Sequence, residues 1–206
     1  MNLWLRLIWM IITARWRPSM VPPLESSALM LRVLPTDLDA NLHLTNGRYL
    51  SFADLGRLDY ALVSGMWRAA FRGRWAPIVS YTAASFHREL KAWQRIRLTT
   101  RIVYWDDRIQ VFEHAFDCVG GRRDGERAAV TLAVAGMYDR RQRRFITSDE
   151  LFQALGQTPF ACPEPEPQVA LFLEAYRAMR AVARARQDGA GAEEDKTAAP
   201  AREKTG

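Results

Sequence analysis

The chain has 206 residues, of which 49% are hydrophobic, and this size allows one sizeable core and one globular domain. The net charge of +6 at pH 7 favours anionic ligands, acidic protein partners or an anionic membrane surface. The basic residues lie in separate turns without a nucleic-acid-binding motif, which argues against a nucleic-acid-binding protein. Cys118 and Cys162 lie in a strand-like run and a proline-rich link, so the sequence indicates no disulfide framework and favours a reducing compartment.

Residues 1–27 comprise an apolar segment followed by a linker. On a helix, the polar residues of the segment would share one narrow stripe formed by Asn2, Arg6, Thr13 and Arg17. Its longest uninterrupted apolar run, residues 7–12, is much shorter than the ~20 residues that a membrane-spanning helix needs. No small-residue cleavage site follows it.

Three interpretations of this segment remain open: an interfacial membrane helix, a helix packed on its own domain or on a partner, and a degenerate signal anchor. As an interfacial helix, residues 1–17 would bind anionic bilayers through an aromatic and aliphatic face and through Arg6, Arg15 and Arg17. We therefore expect a cytoplasmic protein with a peripheral contact on the inner face of the membrane.

A short apolar run, residues 28–34, predicts a first strand that leads into the polar segment from Asp37 to Tyr49. If this segment is extended, alternate side chains emerge on one face, and these are Asp37, Asp39, Asn41 and His43. Thr45, Asn46 and Gly47 are residues typical of a helix start. The free amides and positive dipole end of that helix would suit a carbonyl oxygen that becomes an oxyanion.

The helix is predicted from about Gly47 to Ser64, with two apolar stripes that suit burial under a curved sheet. Gly56 in mid-helix costs about 1 kcal/mol relative to alanine, which predicts a close approach between helix and sheet. Gly65 is expected to cap the C-terminal end.

After an aromatic and basic segment at residues 66–76, the hydrophobic period changes from helical to alternating. Four strand-like runs follow, at residues 78–90, 95–105, 109–119 and 128–138, and residues 145–155 indicate a strand end and a short helix. One strand, one long helix and several antiparallel strands predict an α+β layer with the helix against one sheet.

The sequence divides into an N-terminal amphipathic segment and linker (1–27), a main domain (28–158), a linker with a C-terminal helix (159–188) and a tail (189–206). The C-terminal helix is expected at residues 169–187, with an apolar face. The tail lacks large apolar residues and is expected to be disordered.

The segment from Leu34 to Tyr49 resembles the hotdog-fold acyl-CoA thioesterase superfamily, whose 4-hydroxybenzoyl-CoA thioesterase-like members carry a catalytic Asp in a D-x-D segment ahead of a central helix with an N-x-x-Y start. The matching residues here are Asp37, Asp39, Asn46 and Tyr49. The D-L-D-A-N-L-H version also resembles plant acyl-ACP thioesterases, in which the Asp, Asn and His of D-x-N-x-H are catalytic. Further motifs resemble the small THEM6-like thioesterase group, over about residues 28–155: L-P-x-D-L-D, R-Y-L and A-D on the helix, and W-D-D in the sheet.

The resemblance implies a single hotdog fold, with a long central helix wrapped by a curved antiparallel sheet and extra N-terminal and C-terminal helices. It implies hydrolysis of acyl-CoA or acyl-ACP thioesters by a homo-oligomer whose sites lie between two protomers. Residues 66–76 would then be a connector or a cover over the acyl pocket. One departure from many relatives is the order His43-Leu44-Thr45-Asn46 in place of H-x-N-N.

The resemblance implies the catalytic residues Asp39, Asn41 and His43, and we expect Asn46, Gly47 and Tyr49 to bind substrate. We expect no metal and no cofactor, because CoA is part of the substrate and no metal-ligand spacing is present. The sequence leaves open whether Asp39 is nucleophile or general base, the acyl length, the carrier, and a dimer or a tetramer. The alternative is a non-catalytic acyl-CoA-binding or membrane-associated scaffold of the same fold.

Overall fold

The computed structural model describes residues 2–197, with side chains for residues 3–186. The chain divides into two compact units, Met1–Pro165 and Glu166–Gly206. The helices of the first unit are α1 (Asn2–Ala14), α2 (Asn46–Val63), α3 (Met66–Gly73) and α4 (Ser148–Ala154). Its strands are β1 (Ser27–Arg32), β2 (Trp75–Phe86), β3 (Arg95–Trp105), β4 (Gln110–Val119), β5 (Arg127–Asp139) and β6 (Arg144–Phe145). The second unit contains α5 (Pro167–Thr197).

The strands form one antiparallel sheet in the order β1-β3-β4-β5-β2, with β6 paired to β5. Register shifts within the β2–β5, β3–β4 and β4–β5 pairs are the irregularities that bend and twist a sheet. Helix α2 packs against β1, β3, β4 and β5. The predicted α+β arrangement of a long central helix on a curved antiparallel sheet is therefore confirmed.

The core follows α2 along its length. The N-terminal half contributes to one buried cluster, which includes Tyr49, Phe52, Leu55, Leu98 and Phe116. The C-terminal half contributes to a second cluster, which includes Tyr60, Trp105, Phe112, Met137 and Phe152. The two clusters together bury side chains along the whole length of α2, and Leu58 and Leu62 of its second apolar stripe are partly buried.

Gly56 lies where α2 crosses the sheet most closely. A Cβ atom at this position would collide with the Thr100 hydroxyl and would lie 3.3 Å from Nδ1 of His114. The predicted close approach is confirmed, because only the absence of a side chain gives the space. Gly65 has a φ of +79° directly after the end of α2, as expected of a C-terminal glycine cap.

Helix α1 packs on its own unit, as one of the three interpretations predicted. Met10 is buried in the core, with Leu3 and Leu7 beside it. The guanidinium groups of Arg6 and Arg17 donate hydrogen bonds to the backbone oxygens of Arg32 (2.8 Å) and Ala28 (3.1 Å) on β1. These bonds protect the open edge of the sheet.

Two boundaries differ from the sequence prediction. Residues 66–73 form helix α3, and β2 already begins at Trp75. Helix α5 is assigned from Pro167 to Thr197 and so includes residues 189–197 of the expected tail, whose disorder stays a prediction. Their Ala, Glu and Lys residues have high helix propensity. The remainder of the predicted tail lies outside the described residues.

The predicted apolar face of α5 is present only in part, because Leu171 and Met179 are exposed. Among the described residues, no helix combines the length and the apolar character required to span a bilayer.

Candidate active site

The loop before α2 is a tight turn that Asp39 holds closed. Leu38 and Leu44 form an isolated antiparallel bridge, and the amide of Asp39 donates to the carbonyl of His43 at 2.8 Å. Oδ1 of Asp39 accepts hydrogen bonds from the amides of Asn41 (2.9 Å) and His43 (3.2 Å). Leu42 has a φ of +59°, a left-handed conformation that is strained for leucine.

An extended segment was the condition under which these side chains would emerge on one face, and the turn shows that this condition is not met. Aspartate side chains readily accept from amides two residues ahead, and this local bonding closes the turn in place of a strand. The side chains of Asp39, Asn41 and His43 make no hydrogen bond to one another among the described residues.

In the turn, the two oxygens of the Asp39 carboxylate differ in their hydrogen bonding. The side chain is exposed, and Oδ2 has no hydrogen-bond partner among residues 3–186. One oxygen is thus fixed by two backbone donors, while the other is open to water or to a ligand. The structure holds this carboxylate in a defined position on the surface of the first unit.

The imidazole of His43 points to a partner that the sequence did not predict. Its Nε2 lies 2.7 Å from Oε2 of Glu89, in the segment after β2. The pKa of Glu89 is lowered, first by a hydrogen bond from Lys91 and also by the charge of His43. His43 therefore holds Asp39 through its backbone amide, and its ring joins the turn to the segment after β2.

Asp37 has a structural role, in contrast to Asp39. Its side chain is fully buried, and its Oδ2 accepts from Arg6 at 2.7 Å and from the amide of Leu34 at 2.9 Å. Arg48 approaches Oδ1 at 3.3 Å. The buried Asp37 carboxylate therefore joins the segment before Asp39 to Arg6 of α1 and Arg48 of α2.

Helix α2 starts directly after the turn. Thr45 is its N-cap, but the hydroxyl makes no capping hydrogen bond. The amides of Asn46 and Gly47 have no hydrogen-bond partner among the described residues, and both residues are exposed. Free amides at a helix start can bind an anion or a developing oxyanion.

Tyr49 lies in the core. Its ring makes edge contacts with Phe86 (5.0 Å) and Phe116 (5.2 Å), and burial, followed by the neighbouring Cys118, raises its pKa to about 12. These contacts define a packing role. Binding of substrate by Tyr49 therefore stays a prediction.

An apolar cavity of about 390 Å³ lies at the C-terminal half of α2, between that helix, α3 and strands β2, β4 and β5. Its wall includes Tyr60, Met66, Trp67, Phe71, Phe112 and Met137. Asp54, Arg57 and Gln110 are its polar residues. The volume and the apolar wall are typical of a small-molecule site.

A buried polar network supports one wall of this cavity. Nε2 of His114 lies 2.9 Å from Nη1 of Arg57, and its Nδ1 lies 3.0 Å from Oγ1 of Thr100. Because the guanidinium can only donate, His114 carries its proton on Nδ1. Burial, followed by the charge of Arg57, places the pKa of His114 well below its ordinary value. His114 is therefore neutral and positions Arg57, which also pairs with Asp54.

Sequence reasoning missed Arg57, Asp54 and Glu89. The spacing of Asp54 and Arg57 on one helix was a usable signal, because such residues are neighbours on a helix surface. Pairing of His43 with Glu89 depends on the path of β2 and carried no local signal. No group of three or more potential metal ligands occurs among the described residues.

A model of the thioesterase-like superfamily matches residues 33–187. The chain is 29% identical to Protein THEM6 of Xenopus laevis over 106 residues, which are 52% of this chain and 51% of that protein. The chain thus spans about half the length of this curated relative. Residues 1–32, including all of α1, precede the family match.

Solved structures share the fold at low sequence identity. YbaW, a probable thioesterase from Escherichia coli, has a TM-score of 0.57 and 18% identity, over 64% of this chain and 97% of that chain. The 4-hydroxybenzoyl-CoA thioesterase from Pseudomonas sp. strain CBS-3 has a TM-score of 0.55 and 15% identity, over 63% and 98%. These matches confirm the predicted hotdog fold, and with the family match they show that the chain belongs to the thioesterase-like superfamily.

Proposed function

We propose that this protein hydrolyses acyl-CoA or acyl-ACP thioesters. Water adds its oxygen to the acyl carbon, the carbon–sulfur bond breaks, and the products are a carboxylic acid and a thiol. This reaction is neither an oxidation nor a reduction and needs no cofactor. Membership of the thioesterase-like superfamily supports the general class of reaction.

The observation that carries the proposal is the state of the Asp39 carboxylate. Two backbone amides hold Oδ1, whereas Oδ2, in an exposed turn, has no partner within residues 3–186. A carboxylate fixed in this way loses little freedom when it attacks the acyl carbon or accepts a proton from water. Both roles require the ionised form, and neither is favoured by the geometry of one chain.

The amides of Asn46 and Gly47, which have no partner in the part of the chain that the structure describes, are the proposed donors to the thioester carbonyl. They lie at the positive end of an 18-residue helix and follow the Asp39 turn by a few residues. As the acyl carbon becomes tetrahedral, negative charge develops on its oxygen, and fixed amides stabilise that charge without reorganisation. Asn41, which has no side-chain partner among residues 3–186, would orient water or the carbonyl.

The cavity beside α3 is the proposed site of the acyl group. Its apolar wall and volume of about 390 Å³ suit a hydrocarbon or an aromatic acyl chain. Within one chain, however, the cavity is formed by residues from Asp54 onward, whereas Asp39 precedes the first turn of α2. At 1.5 Å per residue, Asn46 and Asp54 are about 12 Å apart along α2.

A homodimer in which the β2 strands of two protomers pair would bring the Asp39 turn and the cavity close together. Over residues 2–197, β2 pairs with β5 and with no other strand, and most of its side chains are exposed. The N-terminal end of β2 lines the cavity through Pro77 and Val79, whereas Phe86 at its other end contacts Tyr49 near the start of α2. Antiparallel pairing of two β2 edges would therefore bring the cavity of one protomer toward the Asp39 turn of its partner.

A non-catalytic scaffold that binds acyl-CoA is the second candidate. It is favoured by the absence, in the part of the chain whose side chains are described, of side-chain hydrogen bonds among Asp39, Asn41 and His43, because the three do not form the hydrogen-bonded unit typical of an activated nucleophile. In this case the same turn would only stabilise the start of α2.

One experiment separates the two candidates. Full-length protein is incubated with acyl-CoA and acyl-ACP substrates of increasing chain length, released thiol is trapped with a chromogenic reagent, and binding is measured in parallel by calorimetry. We expect turnover of at least one chain-length class. Binding of acyl-CoA without release of thiol from any substrate would favour the scaffold.

We also propose that residues 1–17 make a peripheral membrane contact. The support is the outer face of α1, where large apolar side chains remain exposed. From the sequence, Arg6, Arg15 and Arg17 were expected to contact the bilayer. Arg6 and Arg17 instead pair with the buried carboxylates of Asp37 and Asp59 and so do not face the bilayer. Arg15 is exposed and stacks on the Trp16 ring at 4.1 Å.

A further inference from the structure

Helix α1 packs on the protein through Leu3, Leu7 and Met10 and through Arg6, whereas its outward side is also apolar, which is unlike the polar outer face of an ordinary surface helix. Trp4, Trp9 and Trp16 are 70%, 69% and 68% exposed. Trp4 and Trp9 share the outer face of α1 with four exposed aliphatic side chains, Leu5, Ile8, Ile11 and Ile12, and Trp16 follows the end of the helix by two residues. A cluster of exposed large apolar side chains of this composition indicates an interaction surface.

The patch continues onto strand β1. Trp9 and Met30 line one groove between α1 and β1, and Met30 is exposed. In the sheet register, Met30 lies opposite Arg97 of β3. The apolar surface thus passes directly from the helix to the outer side of the β1–β3 pair.

Three exposed arginines border the patch on this pair of strands. Arg32 lies directly opposite Arg95, and Arg97 is two residues further along β3. None of the three has an ion-pair partner among residues 3–186, and Asp117, which lies opposite Arg97 on β4, pairs with Arg127. Like charges directly opposite each other on paired strands destabilise a sheet, so the cluster suits an external anion.

We infer that the outer face of α1, together with Met30, Arg32, Arg95 and Arg97, is the docking surface for an anionic lipid bilayer. This inference rests on the proposed membrane contact and specifies its residues and orientation. Tryptophan rings favour the interface between headgroups and acyl chains, and the neighbouring arginines match anionic headgroups. A second copy of the chain is a poorer occupant, because two such cationic borders would oppose each other across a two-fold interface.

The surface docks as a rigid part of the domain. Arg6 and Arg17 hold α1 against Asp37 and Asp59, and Met10 is buried beneath it. These contacts leave the tryptophans outside without any rearrangement of the helix. Arg6 and Arg17 therefore determine the orientation of the patch, while Arg32, Arg95 and Arg97 face the lipid charge.

Flotation of the full-length protein with phosphatidylcholine vesicles, with and without phosphatidylglycerol, tests the inference. We expect binding to anionic vesicles and weaker binding to neutral ones. Trp4→Ser combined with Trp9→Ser should weaken binding to anionic vesicles about tenfold or more. The matched control, Leu171→Ser combined with Met179→Ser, removes exposed apolar side chains from α5 and should leave binding unchanged.

A second pair of variants tests the cations. Arg32→Gln combined with Arg97→Gln should abolish the preference for anionic vesicles, whereas Arg140→Gln combined with Arg141→Gln, with the same change in net charge, should retain it. Absence of binding by wild-type protein, or loss of binding only in the control variants, would overturn the inference. A tryptophan-dependent oligomer in sedimentation without vesicles would instead assign the patch to a second copy.

The same preparations are assayed for hydrolysis of a soluble acyl-CoA in the absence of vesicles. Normal hydrolysis by a tryptophan variant that no longer floats separates docking from catalysis. Vesicle binding by wild-type protein that hydrolyses no thioester would sustain the docking surface and reject the proposed hydrolase.

Discussion

The guanidinium of Arg6 on α1 lies 2.7 Å from Oδ2 of Asp37, two residues before the candidate catalytic Asp39. Asp37 is fully buried, and the same guanidinium stacks over the Phe52 ring of α2 at 4.7 Å. Arg6 therefore connects the N-terminal helix, the turn that carries Asp39 and the central helix. A segment that precedes the family match thus supports the candidate site from behind.

Replacement of Arg6 should destabilise the protein. Arg6→Ala removes one of the two cations at a buried carboxylate, and we expect a loss of about 2 kcal/mol in the free energy of unfolding, because Arg48 stays in place. Urea denaturation monitored by tryptophan fluorescence measures this loss. Arg15→Ala is the matched control, because Arg15 is exposed and has no carboxylate partner within residues 3–186. Equal stability of the two variants would contradict the assigned role of Arg6.

Gly56 should not tolerate a methyl group. In Gly56→Ala the new Cβ would meet the Thr100 hydroxyl, and helix and sheet would have to separate. We expect destabilisation of about 1–3 kcal/mol, the range typical of overpacking. Gly47→Ala is the control, because no atom lies within 4 Å of a Cβ there. Thermal denaturation of both variants tests the prediction. A Gly56→Ala variant as stable as the wild type would show that α2 does not pack tightly against Thr100 at this position.

These two sites differ in how far the sequence could predict them. Gly56 was predictable, because a glycine inside a strong helical pattern is costly and calls for a packing reason. The Arg6–Asp37 pair joins residues 31 positions apart and the Arg57–His114 pair joins residues 57 apart. Such pairs depend on the complete topology, and no local pattern of residues specifies them.

The candidate site also combines features that the sequence could predict with features that it could not. Asp39, Thr45 and Asn46 have intrinsic preferences for turns and helix starts, so the position of the α2 start was predictable within a residue. The sequence could not decide whether the segment is extended, because alternation of polar residues is shared by strands and by turns that bond to their own backbone. The left-handed conformation of Leu42 could not be predicted, because leucine rarely adopts it and is not a residue type typical of turns.

The buried His114 should make stability dependent on pH. In the folded protein its pKa lies well below the ordinary value, so the unfolded chain takes up a proton at a higher pH than the folded chain does. This contribution to stability is present above the ordinary histidine pKa of about 6.5 and is lost as the pH falls below it.

Urea midpoints measured between pH 7.5 and 5 test this prediction. Wild-type protein should lose stability across this interval, and His114→Gln, although less stable at pH 7.5, should show a smaller loss. His87, exposed after β2, provides the control variant His87→Gln, which should follow the wild-type pH profile. Parallel profiles for wild-type protein and His114→Gln would contradict a buried neutral histidine.

The proposed dimer makes a prediction about the β2 edge. Ala83 is exposed on β2, and Ala83→Lys places a charge along the edge that would join the two protomers. We expect wild-type protein to sediment as a dimer or larger oligomer, and Ala83→Lys to shift toward monomer with loss of hydrolysis. Ala178→Lys, an exposed position on α5, should change neither property. A wild-type monomer at micromolar concentration would contradict assembly through β2.

The geometry of the Asp39 turn allows its chemistry and its structural role to be tested separately. Asp39→Asn keeps an oxygen that can accept from the amides of Asn41 and His43, so the turn should survive while the charge is lost. Asp39→Ala removes both the charge and the acceptor, and should also cost roughly 1 kcal/mol of stability.

We expect Asp39→Asn to bind acyl-CoA with near wild-type affinity and to hydrolyse it at least ~10²-fold more slowly, since a positioned acid–base group or nucleophile contributes that much or more.

Asn41→Ala and His43→Ala should each lower the rate of hydrolysis less than Asp39→Asn does. His43→Ala should resemble Glu89→Gln, because both variants break the same contact between the turn and the segment after β2. Combination of Asn41→Ala with Asp39→Asn should add little further loss if the two residues act on one step. Single-turnover measurements of thiol release give these rates. Near-normal turnover by Asp39→Asn, with a stable fold and intact binding, would assign the reaction to a residue other than Asp39.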